Sequence, residues 1–176
     1  MKNLLTIKDQ DINPESPVID SSGFSERKAA RAVLLDEKDQ VYLLSVSKYN
    51  FHKLPGGGID EGEEIIDALK RELLEEVGCR AEVIAELGSV VEYRHYKDGG
   101  LKQTSYSYLA KQIGKKMDSA LEQSEIEDGM SEIKAKNIDE AIQLVQNDAP
   151  QNMEGVFIKK RDLAILNAAK KILETE

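Results

Sequence analysis

Along the chain, segments with the hydrophobic pattern of strands are interspersed with segments that have the pattern of helices. Apolar residues dominate 29–35 and 41–46 on either side of a polar turn at 36–40, which predicts a hairpin of buried strands. Further strand-like runs cover residues 81–87, 90–96, 103–113 and 130–135, with a polar turn at 97–100. The third of these runs is expected to form an antiparallel hairpin with the second.

Three segments have the spacing of helices. Residues 63–77 repeat apolar positions at intervals of three and four, with an acidic first turn and Gly78 where a C-terminal cap belongs. Asn137 followed by Glu140 predicts a capping-box start for a helix that ends near Gln146. Residues 157–173 predict a final amphipathic helix. Helices and strands in this order predict an α/β (α+β) fold, a mixed β-sheet between helices.

The remaining segments predict loops and one terminal extension. Residues 47–53 and the acidic stretch 117–129 are expected to be loops, and the sequence Leu54-Pro55-Gly56-Gly57-Gly58 is expected to stop regular structure. Residues 1–25, punctuated by Pro14 and Pro17, predict an N-terminal arm with one or two short strands. Residues 26–176 are then a single domain.

Composition narrows the classes of function. The 176 residues carry 33 acidic and 24 basic side chains, a net charge of -9, which argues against general binding to nucleic acid. Apolar runs are of strand length, so no membrane association is expected. With the single cysteine Cys79 and no signal-like leader, a reducing cytoplasm is the expected location.

Three glutamates in the first predicted helix are the main candidates for chemistry. Glu72, Glu75 and Glu76 fall within an arc of about 100° and about 6 Å of helix axis, and they border the apolar face. Clustered carboxylates suit a hard divalent ion such as Mg²⁺, whereas the alternative is a solvated, glutamate-rich helix. Arg71, one turn before Glu75, is placed to pair with that carboxylate and orient it.

The same residues carry a family resemblance. The segment 57–79 resembles the box of the Nudix hydrolase family, G-x5-E-x7-R-E-U-x-E-E-x-G-U with U aliphatic. The defined positions are filled by Gly57, Glu63, Arg71, Glu72, Leu73, Glu75, Glu76, Gly78 and Cys79. Cysteine in the last apolar position is the one loose fit. The order of the flanking strands is similar to the family's α/β/α sandwich, over residues 28–172.

The resemblance implies a pyrophosphohydrolase that depends on Mg²⁺ or Mn²⁺ and cleaves a nucleoside diphosphate linked to another moiety. It implies that Glu75 and Glu76 are metal ligands, that Glu72 is a further ligand or the catalytic base, and that the Gly56 carbonyl completes the ligand set. Arg71 and Glu63, with Gly57 and Gly78, are then structural residues of the loop and helix.

Family members often take another acidic ligand or base from a distant loop, and three glutamates of the stretch 117–129 are candidates. These are Glu122, Glu125 and Glu127, of which Glu125 is the preferred choice. The alternative for each of them is a solvated loop charge.

Four residues are candidates for substrate binding. Phe51 and His52 precede the glycine segment, where many relatives have a tryptophan in place of His52, and a structural histidine is the alternative interpretation. Arg94 and Tyr96 share one face of a predicted strand.

The preferred substrate is a (deoxy)nucleoside triphosphate or an oxidised nucleotide, as in MutT-like relatives. The alternatives are a nucleotide-binding sensor module on the same fold, or a hydrolase of diadenosine polyphosphates, nucleotide sugars or RNA 5′ ends. A homodimer that pairs through the N-terminal arm is a further expectation.

Overall fold

The computed structural model describes residues 1–18, 20–96 and 99–175 and contains one eight-stranded mixed sheet. The strands are β1 (Asn3–Lys8), β2 (Ser25–Leu35), β3 (Val41–Val46), β4 (Phe51–Lys53), β5 (Gly56–Gly58), β6 (Arg80–Tyr96), β7 (Gly99–Ile113) and β8 (Met130–Ala135). The helices are α1 (Asp9–Ile12), α2 (Ile65–Val77), α3 (Gln123–Glu127), α4 (Ile138–Asn147) and α5 (Met153–Leu173). Among these described helices none is long and apolar enough to span a membrane.

The sheet has the order β1-β6-β7-β2-β3-β4, with β5 paired to β2 and β8 paired to β3. β6 and β7 form the expected antiparallel hairpin; Lys97 and Asp98 of its predicted turn lie outside the described residues. β2 runs parallel to β7 along its whole length. β1, from the predicted N-terminal arm, runs parallel to β6 and forms one end of this path through the sheet.

Helices cover both faces of the sheet, which confirms the predicted fold class. One apolar cluster joins α2, through Leu69 and Leu73, to Ala32 and Leu34 of the sheet. The other cluster joins α4 and α5 to the sheet residues whose side chains point to the opposite face, among them Val33. Because β2 is central, its side chains are buried on both faces, and this explains why its apolar run is nearly continuous.

The structure differs from the expectation at the glycine segment. Gly56–Gly58 does not leave the sheet, because it pairs antiparallel with residues 29–31 of β2. The positive φ of Gly56 and the close approach of the Ala30 carbonyl leave no room for a Cβ there. Pairing with a strand more than 20 residues earlier is a nonlocal interaction, which the local pattern of proline and glycine does not contain.

Several boundaries also differ from the predictions. The expected loop 47–53 contains a 3-10 turn, Ser47–Tyr49, and the strand β4, and the acidic loop 117–129 contains the helix α3. The two strands predicted at 81–87 and 90–96 are one strand with two β-bulges, and α5 begins four residues earlier than predicted. β3 and β2 share a single paired position, Leu35 with Val41, because β3 pairs mainly with β8 and β4.

Candidate active site

A cavity of about 320 Å³ opens where α2, β5 and the start of α5 meet the end of the sheet. Its wall is charged and carries both signs. Acidic side chains from α2, from the segment around α3 and from the start of α5 line it together with arginines from β2, β6 and α5. The cavity therefore brings together two glutamates of the predicted cluster, Glu72 and Glu76, and basic side chains from four elements, β2, β4, β6 and α5.

Arg71 holds the glycine loop against α2. Its Nε and Nη2 donate to the two carboxylate oxygens of Glu63 at 3.0 and 2.9 Å, and Nη2 also donates to the Gly58 carbonyl at 3.0 Å. The Glu63 carboxylate also accepts from the Asp60 N–H at 3.0 Å. The hydrogen bonds from Arg71, and then that from Asp60, lower the pKa of Glu63 to about 2.

The same guanidinium contacts two glutamates of its own helix. Arg71 Nη1 donates to Glu72 at 2.8 Å and to Glu75 at 3.3 Å. The Glu75 side chain is 44% exposed and does not line the cavity, whereas that of Glu72 does. The structure therefore separates Glu75 from the two glutamates that reach the cavity wall.

Glu76 is the most deeply buried of the three glutamates, with only 3% of its side chain exposed. One of its oxygens accepts the Gly56 N–H at 2.6 Å, and the other lies 3.0 Å from Lys53 Nζ. Burial raises the pKa of Glu76 above its ordinary value, although Lys53 and the Gly56 N–H favour the charged form. This carboxylate is held in place from both sides.

Glu72 lies against the glycine loop at the cavity wall. A Cβ at Gly57 would overlap the Glu72 carboxylate, so any other residue there would displace this carboxylate from its position. Burial raises the pKa of Glu72, and the negative charges of Glu76 and Glu75 act in the same direction. Glu72 thus combines a position at the cavity wall with a pKa above its ordinary value.

Arg31, on β2, holds the carbonyl of Gly56 in the glycine loop. Its Nη1 donates to the Gly56 carbonyl at 2.6 Å, and its side chain is buried. Burial, with the nearby positive charge of Arg161, lowers the pKa of Arg31 to about 10. The Gly56 oxygen expected to bind metal is therefore already hydrogen-bonded, although a carbonyl retains a second lone pair.

Two of the three candidate glutamates of the acidic stretch reach the cavity. Glu122 and Glu125 line it, and the Glu122 N–H donates to the Glu125 carboxylate at 2.9 Å. The other Glu125 oxygen lies 4.0 Å from Lys53 Nζ. Glu127 accepts instead from Gln123 at 3.0 Å and is not part of the cavity wall.

The carboxylates of the cavity supply oxygen donors of the kind a hard divalent ion prefers, but they do not form the three-carboxylate cluster that helical spacing predicted. Across residues 1–18, 20–96 and 99–175, no three side chains of the metal-binding types are grouped closely enough to hold an ion. Glu75 is turned toward Arg71, and the Lys53 ammonium lies between Glu76 and Glu125. A cation is thus already held between two carboxylates that come from distant parts of the chain, and their oxygens are the donors that a hard divalent ion prefers.

Of the four predicted substrate-binding residues, the structure brings only Arg94 to the cavity. Phe51 is buried in the core cluster next to α2. His52 pairs with Asp148, through its ring Nδ1 and through its backbone N–H, both at 2.7 Å, which favours the structural interpretation of this histidine. Tyr96 lies half exposed in a separate surface hollow beside Gly99 and Gly100.

Sequence reasoning missed four basic residues of the cavity, which are Arg27, Arg31, Lys53 and Arg161. Arg31 had a usable signal, because it interrupts the apolar run 29–35 of a buried strand. Arg161 lies on α5 far along the chain, and only the packing of α5 onto the sheet brings it here.

Comparison with known proteins places the chain in a family. The model of the NUDIX domain matches residues 25–154, and the chain therefore belongs to the Nudix family. The fold agrees with this assignment. The solution structure of the E. coli ORF135 protein covers 87% of this chain and 94% of its own, with a TM-score of 0.57 at 15% identity. The MutT protein from Methanosarcina mazei Go1 has a TM-score of 0.54 at 12% identity, over 84% of this chain and 96% of its own.

Curated relatives match a shorter part of the chain. An RNA pyrophosphohydrolase of Ruthia magnifica subsp. Calyptogena magnifica is 40% identical over 79 residues, 45% of this chain and 43% of the relative. An RNA pyrophosphohydrolase of Shewanella piezotolerans is 35% identical over 80 residues, 46% of this chain and 45% of the relative. The chain spans less than half the length of these relatives.

Proposed function

We propose that this Nudix protein is a divalent-metal-dependent hydrolase that cleaves a phosphoric anhydride bond of a nucleotide derivative, in the first place a (deoxy)nucleoside triphosphate or an oxidised nucleotide. The observation that carries the proposal is the fixed pair of carboxylates at the cavity wall. Glu72 is oriented by Arg71, and Glu76 by Gly56 and Lys53. Arginines that line the same cavity suit the phosphates of such a substrate.

The carboxylates would hold Mg²⁺ or Mn²⁺. Glu72 and Glu76 are the primary ligands of the proposal, with Glu75 and the Gly56 carbonyl as further ligands after a change of rotamer or hydrogen bonding. A divalent ion supplies charge neutralisation for the anhydride and a water of lowered pKa. Binding of the divalent ion would displace the Lys53 ammonium from Glu76, because the ion and the ammonium compete for the same carboxylate.

The protein's own residues have two further roles in this proposal. Glu125 accepts the proton of the attacking water, or Glu72 does so where Glu76 and the further ligands hold the ion without it. Arg71 does not contact the substrate but orients Glu72 and holds the glycine loop through Glu63. Positioning of this kind prepares the site before the substrate arrives.

An RNA 5′ end is the second candidate substrate, since the two curated relatives are named RNA pyrophosphohydrolases. The net charge of -9 disfavours a long polyanion, because binding along a phosphate backbone relies on many basic contacts. A cavity of about 320 Å³ is in the range of small-molecule sites.

A substrate panel tests the proposal. The purified chain is assayed for release of phosphate and pyrophosphate with Mg²⁺ and with Mn²⁺ on nucleoside triphosphates, oxidised nucleotides, diadenosine polyphosphates, nucleotide sugars and a 5′-triphosphorylated RNA. We expect turnover that EDTA abolishes and added metal restores, with nucleoside triphosphates among the best substrates. Binding of nucleotides without turnover of any panel member would instead identify a sensor module and contradict the enzyme.

Two further proposals concern the cellular location and the oligomeric state of the protein. We infer a reducing, cytoplasmic location from the single free cysteine, Cys79, which is buried. We also infer a homodimer through the sheet edge that β1 forms. Light scattering that gives a mass near the 19.6 kDa of one chain would contradict the dimer.

A further inference from the structure

Arginines that line the cavity have side-chain hydrogen-bond donors that no acceptor of the protein pairs with. In the described part of the chain, four buried side-chain atoms have no hydrogen-bond partner: Arg31 Nε, Arg94 Nε, Arg161 Nη1 and Arg161 Nη2. All four belong to arginines that line this cavity. Buried polar groups are normally paired, so a cluster of unpaired donors around one cavity indicates a missing acceptor.

Of these three arginines, Arg161 has the most unpaired donors. Its side chain is 1% exposed, and only its Nε is paired, with Asp162 at 2.6 Å. Its Nη1 lies 3.8 Å from Glu92, which is beyond hydrogen-bonding distance. Two donors of a buried guanidinium are therefore unused at a residue that lines the cavity, and a ligand would reach them after a small shift of the side chains that cover them.

The local charge also leaves room for an anion. The guanidinium groups of Arg31, Arg94 and Arg161 are buried beside two fully buried carboxylates, Glu92 and Asp162, and the charge of Glu76, which also acts on Arg31, is offset by Lys53. Glu92 is already bonded to Arg94 at 2.7 Å and to Gln103 at 2.9 Å. Glu154, which lies 3.3 Å from Arg94, has a side chain 59% exposed and screens this charge only weakly.

We propose that the cavity-lining arginines Arg31, Arg94 and Arg161, and Arg161 in particular, bind a phosphoryl group of the substrate other than the one nearest the carboxylates of α2. The donors come from β2, β6 and α5 and therefore approach from different directions, which suits a tetrahedral oxyanion better than a planar carboxylate or the edge of a base. This inference rests on the proposed function for its substrate, but not for its anion site.

The anion site is tested first without metal and without turnover. In EDTA, thermal unfolding is followed against increasing inorganic phosphate, with chloride at matched ionic strength as the reference. We expect phosphate to raise the Tm of the wild-type protein in a saturable way, because a ligand that binds the folded state stabilises it. Equal Tm values in phosphate and chloride would overturn the proposal.

Arg161→Met and Lys160→Met are the paired variants. Both remove one positive charge from neighbouring positions of α5, but Lys160 is exposed. We expect Arg161→Met to weaken phosphate binding at least about 10-fold and Lys160→Met to leave it unchanged. If Arg161→Met fails to fold, Arg161→Lys, which keeps the charge but loses the two-pronged donor, is expected to weaken binding as well. Wild-type phosphate affinity in a folded Arg161 variant would contradict the assignment.

Steady-state kinetics then decide whether the bound phosphate represents the substrate. With a nucleoside triphosphate, we expect inorganic phosphate to compete with the substrate, and Arg161→Met to raise KM about 10-fold with a smaller change in kcat. Phosphate that binds in EDTA but does not compete would mean a site for free phosphate and would overturn the substrate assignment. If no substrate turns over at all, the function proposed above fails, while the Tm measurement still tests the anion site.

Discussion

Glu76 is a buried carboxylate that is held in a fixed position at the cavity wall. Its two oxygens are held by the Gly56 N–H and the Lys53 ammonium, so the carboxylate keeps its position in spite of the burial that raises its pKa. Sequence spacing placed Glu76 beside Glu72 on one helix face. The contacts with Gly56 and Lys53 come from residues 20 and 23 positions away, and helical periodicity contains no information about them.

Replacing Glu76 with glutamine separates its role in chemistry from its role in folding. Glutamine keeps an oxygen for the Gly56 N–H but loses the charge that would bind metal. We expect Glu76→Gln to remain folded and to lose at least about 100-fold in kcat in Mg²⁺, measured by phosphate release.

The matched control for this variant is Asp67→Asn, which removes an exposed carboxylate from the same helix. We expect its kcat to stay within about twofold of the wild-type value. Turnover of Glu76→Gln at the wild-type rate would show that this carboxylate has no part in the reaction.

At the scale of elements, α2 was largely predictable. The apolar positions Leu69, Leu73 and Val77 are all buried, and Gly78 ends the helix in the left-handed conformation that glycine adopts readily. The Gly78 N–H donates to the Leu74 carbonyl at 3.0 Å, as in the αL capping motif, and the Cys79 N–H donates to the Leu73 carbonyl at 3.1 Å. These features depend on residues within a few positions of one another, which is why the sequence pattern reveals them.

The loop that precedes α2 should make folding stability depend on acid pH. The pKa of Glu63 is about 2 in the folded protein because Arg71 binds its charged form. Since this value lies below the ordinary 4.5, the Glu63 contribution is complete above about pH 4.5 and is lost as the pH falls toward 2.

We therefore expect Glu63→Gln to be less stable than the wild-type protein near neutral pH, with a difference that shrinks between pH 4.5 and 2. Urea unfolding at a series of pH values measures this difference. Glu61→Gln, at an exposed position of the same turn, corrects for the change in net charge. A difference that stays constant down to pH 2 would contradict the role assigned to the Arg71 pair.

At the scale of the molecule, α5 joins the second helical layer to the active site. Asp162 is fully buried and accepts from the Leu54 N–H at 2.8 Å, just before the glycine loop, as well as from Arg161. The C-terminal helix thus supports the loop that carries the site. It also supplies Arg161, which no local pattern in the sequence connects with the Nudix box.

Removing Asp162 should destabilise the whole fold. Asp162→Ala leaves Arg161 buried without its closest partner and the Leu54 N–H without its acceptor. We expect a loss of about 3–5 kcal/mol in the free energy of unfolding, measured by urea denaturation.

Asp139→Ala is the control for this measurement, because Asp139 pairs with Lys170 at the surface between α4 and α5. An exposed pair contributes about 1 kcal/mol or less. Equal losses in the two variants would show that the buried contacts of Asp162 have no special importance.

The sequence by itself determined the family, the α/β/α architecture and the helix that carries the glutamates, because each depends on residue types at short and regular spacing. Tertiary structure alone decided which of these side chains share a cavity. It paired the glycine segment with β2 and brought Lys53, Arg31 and Arg161 to the same space. Those contacts join residues far apart in the chain, and their energies depend on burial and on neighbouring charges that exist only after the layers have packed.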